Sequence, residues 1–308
     1  MILNKEHLAI RDTVKAFIEK EINPHTNEWE KEGIFPAHDL FKKMGDLGLL
    51  GISKPSEYGG MGLDYSYQVV FSEELGLISS GGVSMAIGVQ TDMATPALAK
   101  YGSDQLRKDF LAPAVAGDMV CSIAVSEPSA GSDVSAIKTK AIKDGDDYVI
   151  NGTKMWITNS TQADFICLLA NTSEGSPHSN KSLIVVPMDL PGITLSDRFN
   201  KLGMRSSDTA QIFFDDVRVP QRNLIGTEGK GFRYQMEQFQ EERIFGAAGA
   251  LKMLEQVIKD TIEYTAQRKA FGKSILDNQV VHFRLAELQT EVELLRALVY
   301  SATEEYIN

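Results

Sequence analysis

The sequence predicts an α+β protein in three parts: an N-terminal helical domain, a middle antiparallel β-sandwich or barrel domain, and a C-terminal helical bundle. Three observations predict it. Apolar residues recur at helical spacing up to about Asp118, short β-rich runs bounded by turns occupy residues 119–225, and helical spacing returns from 226 onward. At 308 residues the chain is longer than one compact domain usually runs, and 43% hydrophobic with 24% charged residues is a folded rather than a disordered composition.

The first part, residues 1–118, opens with Leu8, Ile10, Val14, Phe17 and Ile18 at helical spacing. After a break at Pro24 and Pro36, Phe41, Met44, Leu47 and Leu49 mark a second helix. Lys54 to Leu63 is a glycine-dense loop. Helical signals resume from Tyr65 to Tyr101, and a short helix around Gln105 to Val115 closes the region. In the middle part, residues 119–225, β-rich runs begin at Met119–Val125 and continue at Asp147–Thr153, Phe165–Leu169, Leu183–Pro187 and Gln211–Phe214. Asp144-Gly145 and Asn151-Gly152 supply turns, a spacing that favours an antiparallel sandwich or barrel over a doubly wound sheet. The third part, residues 226–308, holds two long helical patterns, about Phe232 to Arg268 and Gln279 to Ile307. The last keeps its apolar positions at Leu298, Val299 and Ile307 with no glycine cap or proline stop, so the chain is expected to continue past Asn308.

A net charge of −11 repels polyanions on average and disfavours nucleic acid as a partner. Two cysteines, Cys121 and Cys167, cannot make a disulfide framework or a cysteine-rich metal cluster. The five histidines lack metal-ligand spacing, so no metal is expected. The amphipathic, acid-bearing start resembles neither a signal nor a transit peptide, and no apolar run approaches the length of about 18 residues that suggests a membrane span. A cytoplasmic location with no membrane span is the expectation. Gly272-Lys273-Ser274 looks like the end of a phosphate loop, but Gln267 stands where that loop needs its first glycine.

The informative segments are Cys121-Ser-Ile-Ala-Val-Ser-Glu-Pro-Ser-Ala-Gly-Ser-Asp133 and Asn151-Gly-Thr-Lys-Met-Trp-Ile-Thr-Asn159. Small residues and backbone amides in such a bend allow close approach of a pyrophosphate or flat heterocycle, and Trp156 offers a stacking face. On these segments the chain resembles the acyl-CoA dehydrogenase family. Pro55–Gly62, Lys201–Thr209, Phe214–Pro220 and Gln267–Lys273 match the family in the same order. The resemblance implies FAD, with the isoalloxazine against Ile123, Ala124, Val125 and Ser126 and against Trp156, Ile157 and Thr158, Thr158 lying near flavin N5. It places Ser132 on the CoA part of the substrate. It sends Arg268 and Gln279, with Phe271 between them, to the FAD of a neighbouring subunit, implying a homodimer or homotetramer. A half-buried aromatic and a helix-end cation are the plain alternatives for Trp156 and Arg268.

The implied reaction is α,β-dehydrogenation of an acyl-CoA thioester to the trans-2-enoyl-CoA, as in fatty acid β-oxidation, with an electron-transfer flavoprotein as acceptor. Such chemistry needs a carboxylate base, a partner for the thioester oxygen and exclusion of water. Most family members keep the base in a later segment. Isovaleryl-type and long-chain-type members use a Glu before an Arg in the first long C-terminal helix, and here Glu242 precedes Arg243. Phe245, Gly246 and Gly249 follow on the same helical face, which leaves either room for a ligand or a close helix crossing. Glu241 and Glu242 as ordinary solvated acids is the alternative. Gln240, where some relatives carry a substrate-contacting Asp, and Arg243 are substrate-side candidates. An acyl-CoA oxidase or flavin monooxygenase on the same scaffold, and a non-catalytic flavoprotein, are the competing functions.

Overall fold

The computed structural model describes all 308 residues. Ten α-helices run α1 Lys5–Phe17, α2 Thr26–Glu32, α3 Ala37–Asp46, α4 Tyr65–Leu75, α5 Gly81–Gly88, α6 Thr95–Tyr101, α7 Asp104–Leu106, α8 Ala112–Val115, α9 Gly231–Gln267 and α10 Gln279–Ile307. The helical path widens into π turns at Ile18–Ile22, Val89–Ala94 and Arg107–Leu111. Between α8 and α9 lie β1 Cys121–Ala124, β2 Lys140–Asp144, β3 Asp147–Thr158, β4 Phe165–Asn171, β5 Lys181–Pro187, β6 Ile193–Leu195, β7 Thr209–Pro220 and β8 Leu224–Ile225. The helical, sheet, helical order is the one expected. No helix is long and apolar enough to cross a membrane.

Contacts within the chain define two compact units, one of residues 25–63 and 80–242, the other of residues 1–24, 64–79 and 243–308. The first contains the eight-stranded sheet, in the order β6-β7-β3-β2-β4-β5-β8 with β1 beside β4. Residues from β3 and β7 (Tyr148, Ile150, Ile212, Val217) share one core with Ile166, Leu168, Ile184 and Val186 of β4 and β5, giving sandwich-like packing. The alternate β4 residues Phe165, Cys167 and Leu169 join Leu98, Leu106, Leu111 and Val115 of the helical layer. Covered on both faces, β4 reads as a continuous apolar run rather than an alternating one. The sheet departs from a purely antiparallel arrangement: β1 pairs parallel to β4, Cys121 opposite Phe165 and Ala124 opposite Leu168.

The second unit begins with Asn4, whose side chain caps α1 by accepting the Glu6 and His7 amides at 2.9 Å. His7 stacks on Tyr67 and bonds Ser66 through Nε2 at 2.8 Å, tying α1 to α4. Arg296 of α10 donates to Glu73 and Glu255, and Tyr300 donates to Glu73 at 2.9 Å. The glycines of α9 do different work. A Cβ on Gly249 would lie 3.5 Å from the Ser72 carbonyl oxygen of α4, whereas one on Gly246 would meet nothing within 4 Å. Gly249 thus leaves room for a Cβ in ordinary contact with α4, and it is Gly76 that serves helix approach, since its Cβ would fall 2.5 Å from the Gly249 carbonyl oxygen. Past α9, Lys269–Ala270 and Lys273–Ser274 form a small hairpin, β9 and β10, where a phosphate loop would need a strand entering a helix.

Candidate active site

In the first unit, the end of β1, the end of β3, the π turn after α5 and the first turns of α9 enclose a cavity of about 220 Å³. Ile123, Val125, Ser126, Trp156, Ile157, Thr158, Met85, Val89, Met93, Phe239 and Glu242 line it. Each wall has an identifiable anchor. Gln90, inside the π turn, donates to Met119 O at 2.8 Å and accepts Cys121 N at 2.8 Å, fixing where β1 starts. Gln238 of α9 donates to Met93 O and accepts Ala97 N at 2.9 Å, so the turn carrying Phe239 is locked to the helical layer. Ser122 Oγ donates to Thr158 O at 2.5 Å, joining the two strand ends.

The shape of β3 at this point comes from a bulge. Its pairing with β7 slips between Lys154 and Ile157, and Trp156 sits at φ +64. Tyr148, Ile150 and Lys154 are buried before the slip, and Ile157 after it, so inward parity changes across Met155 and Trp156. Lys154 therefore turns in. Trp156 turns out, 61% exposed, with its ring 4.8 Å from that of Phe199. Asn159, at φ +66, donates to Ala86 O at 3.0 Å while its own amide bonds Asp208 O, which ends the strand beside Thr158.

Behind this wall lies a buried ion pair. Lys154 Nζ donates to Val125 O at 2.8 Å and to Glu127 Oε1 at 3.0 Å; Glu127 also accepts the Lys138 and Thr139 amides at 2.6 and 2.9 Å. Burial pushes the Lys154 ammonium down to about 8, Glu127 offsetting part of the shift. For Glu127 burial pushes the other way, but Lys154, Thr139 and the two amides outweigh it and hold the carboxyl below its ordinary range. Burial also pushes the Cys121 thiol up, and that of Cys167 up to about 12, so neither cysteine is poised as a nucleophile.

The structure thus brings Glu242 together with Ile123, Val125, Ser126, Trp156, Ile157 and Thr158. Ala124 differs from its neighbours. Its side chain is fully buried in the core with Ile166 and Leu168, its strand pairs with β4 there, and it does not line the cavity. Ser132, Gln240 and Arg243 are exposed, and none lines the cavity. Arg268, Phe271 and Gln279 are exposed at the hairpin and the start of α10. Met85, Val89, Met93, Phe239 and Lys154 were not among the sequence candidates. Phe239 was within reach of sequence reasoning, since it lies three residues before Glu242 on one helical face.

The lining fits a flat heterocycle. It offers an exposed indole, apolar Ile123 and Val125, and the hydroxyls of Ser126 and Thr158 at the rim of a small cavity. A carboxylate stands opposite on α9. Profiles of the acyl-CoA dehydrogenase N-terminal, middle and C-terminal domains match residues 4–118, 122–217 and 229–307. The long-chain specific acyl-CoA dehydrogenase, mitochondrial, of Sus scrofa is 37% identical over 306 residues, covering 98% of this chain and 70% of that one. Among solved structures, an acyl-CoA dehydrogenase from Geobacillus kaustophilus is 42% identical, with TM-score 0.93 over 99% of this chain and 80% of the other. A chain described as an electron transferring flavoprotein of Acidaminococcus fermentans is 34% identical, with TM-score 0.94 over 100% and 80%. These matches define an oxidoreductase. The chain belongs to the acyl-CoA dehydrogenase family.

Proposed function

We propose that the protein catalyses FAD-dependent α,β-dehydrogenation of an acyl-CoA thioester, with Glu242 as the base that takes the α-proton. One observation carries this reading: Glu242 shares a single cavity with Ser126, Trp156 and Thr158. FAD, when bound, supplies the hydride acceptor; Ile123, Val125, Ser126, Trp156 and Thr158 would hold its ring system. Phe239 and the Met85, Val89 and Met93 side chains give the space beside Glu242 an apolar wall, which would exclude water once the site is filled. The α-proton of a thioester is a weak acid, so a carboxylate works best where solvent is scarce and the distance is fixed.

Electrons pass to an electron-transfer flavoprotein, a reading supported by the family and by the Acidaminococcus fermentans chain. Arg268, Phe271 and Gln279 reach the FAD of a neighbouring copy in a homodimer or homotetramer, and Ser132, Gln240 and Arg243 stand on the substrate side. Anaerobic addition of acyl-CoAs of graded chain length to the FAD-loaded protein should bleach the flavin absorbance with at least one of them. Bleaching by none overturns the reading, and peroxide release in air at the rate of turnover would make the protein an oxidase.

A further inference from the structure

We propose that Lys154 is a positioning residue whose contact with Val125 O aims the Ser126 amide at an acceptor atom of the flavin ring. The inference rests on the FAD reading above. Lys154 Nζ lies 2.8 Å from Val125 O and 3.0 Å from Glu127 Oε1, and the side chain is completely buried. Every peptide bond in the chain is trans, so the carbonyl of Val125 and the N–H of Ser126 point in opposite directions across one plane. With the carbonyl held inward on the ammonium, the amide must face away from it. Val125 and Ser126 both line the cavity. The Ser126 N–H has no acceptor within the chain, whereas the Ser126 carbonyl is already bonded by Met155 N at 2.9 Å.

An unpaired amide at the rim of an apolar cavity is a donor kept for a ligand acceptor. Its direction is set twice. Lys154 fixes the peptide before Ser126, and Met155, the next residue of β3, fixes the one after it. Glu127 completes the frame, since its carboxylate is bound by Lys154 and by the Lys138 and Thr139 amides and holds the ammonium in place. The same short stretch of β3 thus places the exposed face of Trp156 and, two residues earlier, the group that orients the opposing amide.

Removing Lys154 alone leaves Glu127 buried without its cation and endangers folding. The test therefore compares Lys154→Met with the double variant Lys154→Met/Glu127→Gln, which retires both charges, in a Trp29→Phe background where Trp156 is the remaining tryptophan. The double variant should melt near the wild-type temperature. Its FAD affinity should still fall by about tenfold or more, the scale of losing a well-aimed hydrogen bond, with a displaced flavin absorption band. Trp156 emission of the FAD-free protein should also shift. Wild-type FAD affinity and an unmoved band in the double variant would overturn the positioning role. If the wild-type protein takes up no FAD, the functional reading falls, and unchanged Trp156 emission in the double variant would then remove the positioning claim independently.

Discussion

The strand end Lys154–Thr158 and the turn Arg268–Gln279 differ in how much of their own geometry the chain supplies. At the strand end, backbone and side chains are both held: Lys154 by Glu127 and Val125, Thr158 by Ser122, and Trp156 by the bulge and Phe199. At the turn the backbone and the Ser274 side chain are held. Ile275 N bonds Arg268 O at 2.9 Å, Ser274 Oγ bonds Thr265 O at 2.9 Å, and Phe271 and Gly272 take positive φ at the hairpin tip. The side chains of Arg268, Phe271 and Gln279 are exposed, Phe271 at 106% of its reference area. The first region is preorganised by the buried Lys154 contacts and by the bulge. The Arg268, Phe271 and Gln279 side chains of the second are left to solvent.

Four measurements would break or sharpen that contrast. The largest effect is expected at the built site. Glu242→Gln keeps the volume and loses the basicity, so FAD content should hold while flavin reduction by acyl-CoA slows about 10²-fold or more. Glu241→Gln is the control, because neighbours on a helix point about 100° apart. Equal rates for Glu242→Gln and wild type would place the base elsewhere.

Arg268→Ala probes the exposed turn. Stability should stay within about 0.5 kcal/mol, as for most surface changes, while FAD retention drops roughly tenfold and the oligomer mass in light scattering falls. Unchanged FAD and mass would leave the turn without a role in cofactor binding.

Next in size is a pH effect confined to the strand end. Folded Lys154 titrates at about 8 and an unfolded lysine near about 10.4, so between these values the unfolded chain holds more protons and this group makes stability rise with pH. Over the same window the ammonium facing Glu127 and Lys181 loses its charge. FAD affinity should therefore weaken several-fold with a midpoint about 8 while the melting temperature does not fall on this account, and the double variant should show no such midpoint. The smallest effect is Phe271→Ala, expected to change melting by less than about 0.5 kcal/mol because the ring buries nothing in the chain. A larger loss would show that Phe271 is already packed in solution.

Much of the fold was legible because periodicity and segment order report it directly, and Glu242 and Trp156 stood out from their neighbours in sequence. The rest depended on pairing. Nothing in Cys121–Ala124 tells whether its strand runs parallel or antiparallel to β4, since both faces of β4 are covered and either direction buries the same residues. Lys154 stands inside the Asn151–Asn159 segment, where simple alternation puts it on the side of Trp156. Only the slip between Lys154 and Ile157 separates them. Gly246 and Gly249 look alike in sequence and differ in what stands opposite: open space for one, Ser72 for the other.

The π turn Val89–Ala94 makes the cavity sensitive to chain length as well as to residue identity. A π turn accommodates more residues than an α turn over the same stretch, and each helical residue advances the side-chain direction by about 100°. Deleting a single residue there would let the helix relax to regular α geometry without costing a hydrogen-bond pairing overall. It would also rotate Met93 off the wall and pull Gln90 away from Met119 and Cys121. A family alignment that closes this position with a gap would therefore mark chains whose cavity is shaped differently, even where every lining residue is the same.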